Sequence, residues 1–243
     1  MVITGFMLDA FHEQLITLWA ENEDGPFASI VPMIYTEFQP NSLLFIGINP
    51  SFNAKAIVRV MQNSEARSQF KSEEEVNNFY RFDHSNVLEK IKDLQVIQHY
   101  HKLHLPYYAR NWALTGQLEN IHWEQIDIFQ VRHSIQEEVI SRLNQATNKS
   151  FFGRQIDLFL TMLEHIAPKV IVILNQKTGT LLKKEFVKID SNFLSSRKAP
   201  DQYELCLYGK TIPVLFSMHI AYKKQEDRIS INQKIIDFVR KYQ

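Results

Sequence analysis

The run Lys169-Val170-Ile171-Val172-Ile173-Leu174 most constrains what this chain can fold into. Four consecutive β-branched residues lose side-chain freedom in a helix and pack well on a pleated surface. Because no polar residue alternates with them, both faces of the strand must be buried, as in a central parallel strand covered by helices on two sides. The flanks agree. Ile156, Phe159, Leu160 and Leu163 mark a helix from Gly153 to His165 that stops at Ala167-Pro168, and another is expected from Thr180 to Phe186. An α/β fold follows. Lys177-Thr178, just after the strand, lacks the Gly-x4-Gly-Lys-Ser/Thr order of a phosphate loop, which argues against an NTPase.

A second buried strand is expected in Ser42-Leu43-Leu44-Phe45-Ile46-Gly47-Ile48-Asn49-Pro50-Ser51-Phe52, where an apolar run is closed by Asn49-Pro50. Gly47 lets another group approach the strand closely, and Ser51 is placed to cap a helix from about Asn53 onward. Ligands in open α/β sheets bind beyond the carboxyl ends of strands, near helix N-termini. On that reading the Asn49 amide points into the crevice. On the plainer one, Asn-Pro is a turn and no more.

The rest of the chain supplies the other layers. Phe11, Leu15, Ile16, Leu18 and Trp19 give an amphipathic helix between Asp9 and Glu21, followed by an apolar stretch from Ile30 to Phe38. Between Asn53 and Trp123 lie several helix signals, among them Ile57, Val60 and Met61, then Val87, Leu88, Ile91 and Leu94, so this long connection carries its own structure. Gln125 to Arg132 reads as a strand with Ile126 and Ile128 on one face and Asp127, Phe129 and Val131 on the other. A hairpin with Gly209-Lys210 at its turn joins Tyr203–Tyr208 to Thr211–Ser217, and a last strand runs through Met218 into His219 before a helix from about Glu226 to Arg240. The expected architecture is one domain over 1–243. It is three-layered, α/β/α, with a central four-stranded parallel sheet, an N-terminal helical segment at about 1–40 and a helical insert at about 53–123.

Composition narrows the setting. With 243 residues, 45% of them hydrophobic, the chain is long enough for one large core. Its 27 basic and 27 acidic residues cancel, which counts against tight, sequence-independent phosphate binding while leaving room for a local patch. The single cysteine, Cys206, excludes an intrachain disulfide and a four-cysteine iron–sulfur site, and in its apolar run it reads as a core residue. No stretch has transmembrane length and the N-terminus lacks a basic, then apolar, leader pattern, so a soluble cytoplasmic protein with no membrane partner is expected.

His99, His101 and His104 are close in sequence, and in an extended segment His99 and His101 share a face. No acidic ligand set, cysteine or His-Glu-x-x-His pattern accompanies them, so surface or amphipathic packing is the expectation, with no metal and no cofactor. Leu105 to Trp112 is aromatic with one charge, a composition that suits base stacking or ordinary core closure.

Gly47-Ile48-Asn49-Pro50-Ser51 resembles the first catalytic motif of the uracil-DNA glycosylase superfamily, in the Gly-Ile-Asn-Pro-Gly form of its mismatch-specific uracil/thymine branch. In that superfamily the last sheet strand ends in a histidine followed by Pro-Ser and a loop that enters the minor groove. Val214-Leu215 with His219 four residues later is similar, but Ile220-Ala221-Tyr222-Lys223-Lys224 stands where Pro-Ser would. The order of elements from Ser42 to Arg240 also resembles the family's.

The resemblance implies a DNA glycosylase that hydrolyses the N-glycosidic bond of a flipped uracil or other damaged or mismatched base in double-stranded DNA. Asn49 would orient the water. As an amide it takes no proton near neutral pH, so slow turnover is implied. His219 would hydrogen-bond the departing base and stabilise its negative charge. Gly47, Ile48, Pro50 and Ser51 would shape the pocket, and the small Ser51 stands where strictly uracil-specific members carry a bulky Tyr, so thymine is not excluded. Phe52 or Phe129 would stack on the base, or either is core. Arg132 meets a phosphate or forms a surface salt bridge. Tyr222, Lys223 and Lys224 contact the DNA backbone or form a solvated loop. Two other readings stand beside this one. The first is a glycosylase fold without activity that binds a nucleobase or nucleotide, and the second is an interaction module whose insert carries the surface for a protein partner of unknown identity.

Overall fold

The structure is a computed structural model and describes residues 5–25, 27–62, 70–145, 148–189, 194–199, 201–207, 209–218 and 223–243. Its strands are β1 (Leu43–Gly47), β2 (Trp123–Asp127), β3 (Val170–Ile173), β4 (Leu194–Ala199), β5 (Gln202–Leu207) and β6 (Lys210–Phe216). They form one sheet in the order β2-β1-β3-β6-β5-β4. β2, β1, β3 and β6 run parallel, whereas β5 and β4 are antiparallel to their neighbours. The expected four-stranded parallel sheet is therefore corrected to a six-stranded mixed one. The reason is the hairpin: Gln202–Leu207 pairs with β6 from Lys210 to Leu215 and carries β4 on its outer edge.

Alternation along the strands puts an apolar core on each side of the sheet. Leu44, Ile46, Ile171, Ile173 and Val214 face one core, shared with α1 (Gly5–Ala20) and α7 (Lys149–Ile166). Leu43, Phe45, Val170, Val172 and Leu215 face the other, packed by α5 (Pro106–Thr115) and α9 (Gln225–Tyr242). Burial on both faces is why these strands are continuous apolar runs. α7 is stopped by Ala167 in a left-handed conformation, φ 42°, directly ahead of Pro168.

The connection from β1 to β2 holds α2 (Ala54–Gln62), α3 (Glu73–Phe79), α4 (His84–His104) and α5; the periodicity predicts α2 and α4, whereas the aromatic stretch Leu105 to Trp112 carries no helix prediction and forms most of α5. α2 is capped by Asn53, whose Oδ1 accepts from the Ala56 N–H at 2.9 Å, rather than by Ser51. Leu105-Pro106 separates α4 from α5, since proline cannot extend the first helix and fits the first position of the next. The three histidines thus lie on a helix and not on an extended face: His101 is buried, whereas His99 and His104 are exposed. Among the described residues no cluster of metal-ligating side chains is found. After β2 come α6 (Gln136–Leu143) and α7, and after β3 comes α8 (Gln176–Ile189).

Three further expectations change. The strand expected over Gln125–Arg132 leaves the ladder after Asp127, although the Ile128 and Phe129 N–H groups still reach the Gly47 and Ile48 carbonyls at 3.1 and 2.8 Å. Lys210 pairs with Leu207 inside the hairpin, so the turn is one residue earlier and is carried by Gly209 at φ 74°. Cys206 is exposed, because β5 turns alternate residues outward and buries Leu205 and Leu207 instead. Among the described residues no helix is long and apolar enough to cross a membrane.

Candidate functional site

The carboxyl ends of β1 and β2 meet where Gly47 lies opposite Asp127 in the parallel register. A methyl group on Gly47 would come within 2.1 Å of Asp127 Oδ1 and 3.2 Å of the Tyr107 hydroxyl. The missing side chain is what makes room for the carboxyl group. Asp127 is almost wholly buried, and the Tyr107 hydroxyl, 3.4 Å from its Oδ1, is its side-chain partner. Tyr35 reaches the same point from before β1, its hydroxyl accepting the Asp127 N–H at 3.2 Å. Burial pushes the Asp127 carboxyl up to about 7, against smaller opposing effects of the Tyr107 hydrogen bond and the Arg132 charge. Near neutral pH this group can hold or release a proton. The same burial, with Asp127 beside them, holds the Tyr35 and Tyr107 hydroxyls firmly protonated.

Above these strand ends lies a cavity of about 200 Å³. Pro50, Ser51 and Asn53 of the loop after β1 form one wall, and Leu105 to Tyr108 at the break between α4 and α5 form another. Tyr107 presents its ring to solvent, 41% exposed, while its hydroxyl turns inward to Asp127. Besides Ser51 and Asn53, polar lining comes from Gln98, His101 and Arg132. Gln98 donates to the Tyr108 hydroxyl at 2.8 Å. His101 is only 2% exposed, and its Nε2 has no hydrogen-bond partner. Burial, reinforced by the Arg132 charge, lowers the His101 pKa to about 3, so the imidazole is neutral.

Arg132 is also buried, at 6% exposure, and the expectation of a surface salt bridge is corrected. The chain leaves the ladder after Asp127 and carries Arg132 back into the wall. There its Nε donates to the Pro32 carbonyl at 3.3 Å and its guanidinium lies 5.0 Å from the centre of the Tyr80 ring.

The other sequence-predicted residues divide around this cavity. Pro50 and Ser51 line it. Gly47 lies against Asp127, and Ile48 is buried in the core. Asn49 is 2% exposed and does not line the cavity, contrary to the expectation for its amide. Its Nδ2 donates to the His133 carbonyl at 2.6 Å and the Pro50 carbonyl at 3.2 Å, tying the loops after β1 and β2 together. This orientation leaves Oδ1 without a partner, whereas a flipped amide would set oxygen against two carbonyls. Phe129 is core, packed on Phe152, because the chain directs it into the layer under α7. Phe52 is half-buried, edge-on to Tyr80, and is not part of the cavity wall. Lys223 and Lys224 are exposed at the start of α9. His219 and Tyr222 lie outside the described residues.

Asp127, Tyr107, His101 and Gln98 are the polar residues that sequence reading did not assign to a site. The one sequence signal for Asp127 is a lone carboxylate inside an apolar strand run, where a buried charge demands a reason. The chain matches no protein-family model and no curated protein.

Proposed function

We propose that the chain is a DNA glycosylase of the uracil-DNA glycosylase type, with the cavity over β1 and β2 receiving a damaged or mismatched base flipped out of double-stranded DNA. The observation that carries this reading is the cavity's position: the Gly-Ile-Asn-Pro-Ser loop supplies one wall at the carboxyl ends of parallel strands, where open α/β sheets bind ligands. The parallel order β2-β1-β3-β6 with apolar cores on both faces supports the three-layer architecture of that family. Aromatic and aliphatic walls suit a planar base, and Gln98 and His101 offer hydrogen-bonding groups to its edge.

In this reading Asn49, next in the chain to Pro50 of the cavity wall and with Oδ1 unpartnered but covered, has to turn toward the cavity to accept a hydrogen from the attacking water, and His219 stabilises the departing base. Asp127 is the group nearby whose protonation changes near neutral pH, and it sets the protonation state of the site through Tyr107. Lys223, Lys224 and Tyr222 contact the DNA backbone, in the cytoplasmic compartment.

A second reading, binding of a nucleobase or nucleotide without cleavage, is favoured by one observation: both Asn49 donor contacts are already taken by backbone carbonyls. A single-turnover assay separates the two. Oligonucleotides with U·G, T·G or hypoxanthine, and single-stranded uracil, are incubated with excess protein, and wild type is compared with Asn49→Ala and His219→Ala. Abasic product that both substitutions abolish supports the glycosylase. No abasic product from any substrate on long incubation refutes it and leaves the binding pocket.

A further inference from the structure

Arg132 poses a problem that the glycosylase reading does not solve. It is 6% exposed, and among the described residues no carboxylate forms an ion pair with it. A guanidinium taken out of water is costly, and the charge of Asp127, only partly ionised near neutral pH, one carbonyl contact and an aromatic face compensate only part of that. His101, which shares the cavity wall and feels the Arg132 charge, is neutral and has an unpartnered Nε2 while 2% exposed. A permanent positive charge and a buried histidine with an unused ring nitrogen therefore border one partly open cavity of about 200 Å³. Apart from Ser51 and Asn53, the remaining walls, including Met33, Ile57, Pro106 and the Tyr107 and Tyr108 rings, are apolar or aromatic.

We propose that this cavity binds a planar ring carrying a negative charge, with Arg132 as its counter-ion and His101 Nε2 and Gln98 hydrogen-bonding the ring's edge. Charge alone would call for more than one cation and a polar wall. Planarity comes from the largely aromatic and aliphatic lining, and the preference for an anion comes from a guanidinium that no direct ion pair neutralises among the described residues. The charge has two chemical sources, a carboxylate attached to the ring or ionisation of the ring itself. This inference goes beyond the proposed glycosylase and needs no bond cleavage, so a failed cleavage assay leaves it standing.

The test is calorimetric titration and thermal unfolding of the full chain, without DNA, using four probes at neutral pH. These are uracil, which is neutral; uracil-6-carboxylate; 5-nitrouracil, whose ring is ionised; and inorganic phosphate. Either anionic ring is expected to bind about tenfold or more tightly than uracil and to raise the unfolding temperature. The one that binds names the source of the charge. Arg132→Met is expected to lose that preference, and Ser51→Trp, at an exposed position on the rim, to abolish binding by filling the cavity. Should Arg132→Met fail to fold, the wild-type ranking of the probes and the Ser51→Trp result decide. Equal binding of uracil and the anionic rings, stabilisation by phosphate alone, no binding by any probe, or retained binding in Ser51→Trp would overturn the proposal.

Discussion

Replacing Gly47 by alanine adds one methyl group at the point where β1 and β2 leave the sheet. Its Cβ would fall 2.1 Å from Asp127 Oδ1 and 3.3 Å from Asp127 Cγ, with the Tyr107 hydroxyl at 3.2 Å. An exposed carboxylate would rotate away at little cost. Asp127 is 1% exposed, so its displacement moves the Tyr107 hydroxyl and disturbs the contact between them. Overpacking of this kind costs ~1–3 kcal/mol. Removing a glycine from a strand returns ~0.5–1 kcal/mol, leaving a net loss of about 1–2 kcal/mol. Urea denaturation with linear extrapolation measures it. Asp127→Ala removes the obstructing atoms, so the Gly47→Ala penalty should shrink by most of its value in that background, a coupling of about 1–2 kcal/mol. Gly153→Ala is the control: it lies in α7 with nothing within 4 Å of the added methyl, and it should gain up to ~1 kcal/mol. A Gly47→Ala protein as stable as wild type, or an undiminished penalty beside Asp127→Ala, would refute the packing argument.

The titrating groups give further expectations with opposite signs. Asp127 is raised from 3.8 to about 7, so its contribution to stability is fully present below the lower value and is lost as pH rises through the higher one; Asp127→Asn should flatten that slope and stabilise the protein above neutrality by up to ~4 kcal/mol, read from urea midpoints across pH. His101 is lowered from 6.5 to about 3 and His12 to about 4, both chiefly by burial, so their contributions are present above 6.5 and lost as pH falls. His101→Gln should make acid unfolding shallower, and an unchanged acid limb would contradict the assignment. Asn49→Asp would set carboxylate oxygens against the His133 and Pro50 carbonyls and should cost ~1–3 kcal/mol in urea denaturation, whereas wild-type stability in that variant would show that the amide bridge contributes little.

Much of the scaffold was legible because burial on both faces writes itself as uninterrupted apolar sequence. Val170–Ile173 and Leu43–Gly47 were read as strands on that ground, and α7 and α9 by their periodicity. The sheet's true width was less legible, because the outer hairpin's strands are mixed in composition and Pro213 obscured how far β6 extends. Pro213 is tolerated since pairing with β3 begins only at Val214. The site was half legible. Gly47, Pro50 and Ser51 were found through a local motif, and motifs report the loop that carries them. Asp127 and Arg132, at the end of β2 and in the loop after it, meet His101 of α4 only through the crossover of helices, and no spacing rule in one sequence encodes that meeting. Composition leaves Phe129 open between base stacking and core and makes Cys206 a core residue; where a strand ends and which of its faces is covered put Phe129 in the core and Cys206 at the surface.

The interior of the site contains one permanent charge and one group that titrates near neutrality, and they are coupled. Arg132 lowers the Asp127 pKa from where burial alone would put it. An anion bound against Arg132 cancels that influence, so Asp127 should rise further above 7 and take up part of a proton on binding. Other groups near Asp127 cannot supply the same signal. Tyr35, Tyr107 and Tyr108 are all raised by burial and stay protonated, and His101 is held neutral chiefly by burial, with the Arg132 charge the smaller cause. Titrating uracil-6-carboxylate or 5-nitrouracil at neutral pH in two buffers of different ionisation enthalpy counts the protons exchanged. A fraction of one proton should be absorbed per ligand bound, and Asp127→Asn should abolish the uptake while leaving binding itself in place. Binding without uptake in the wild type would mean that the anion does not sit against Arg132, because the Arg132 charge acts on Asp127 and a charge placed against it must alter that influence.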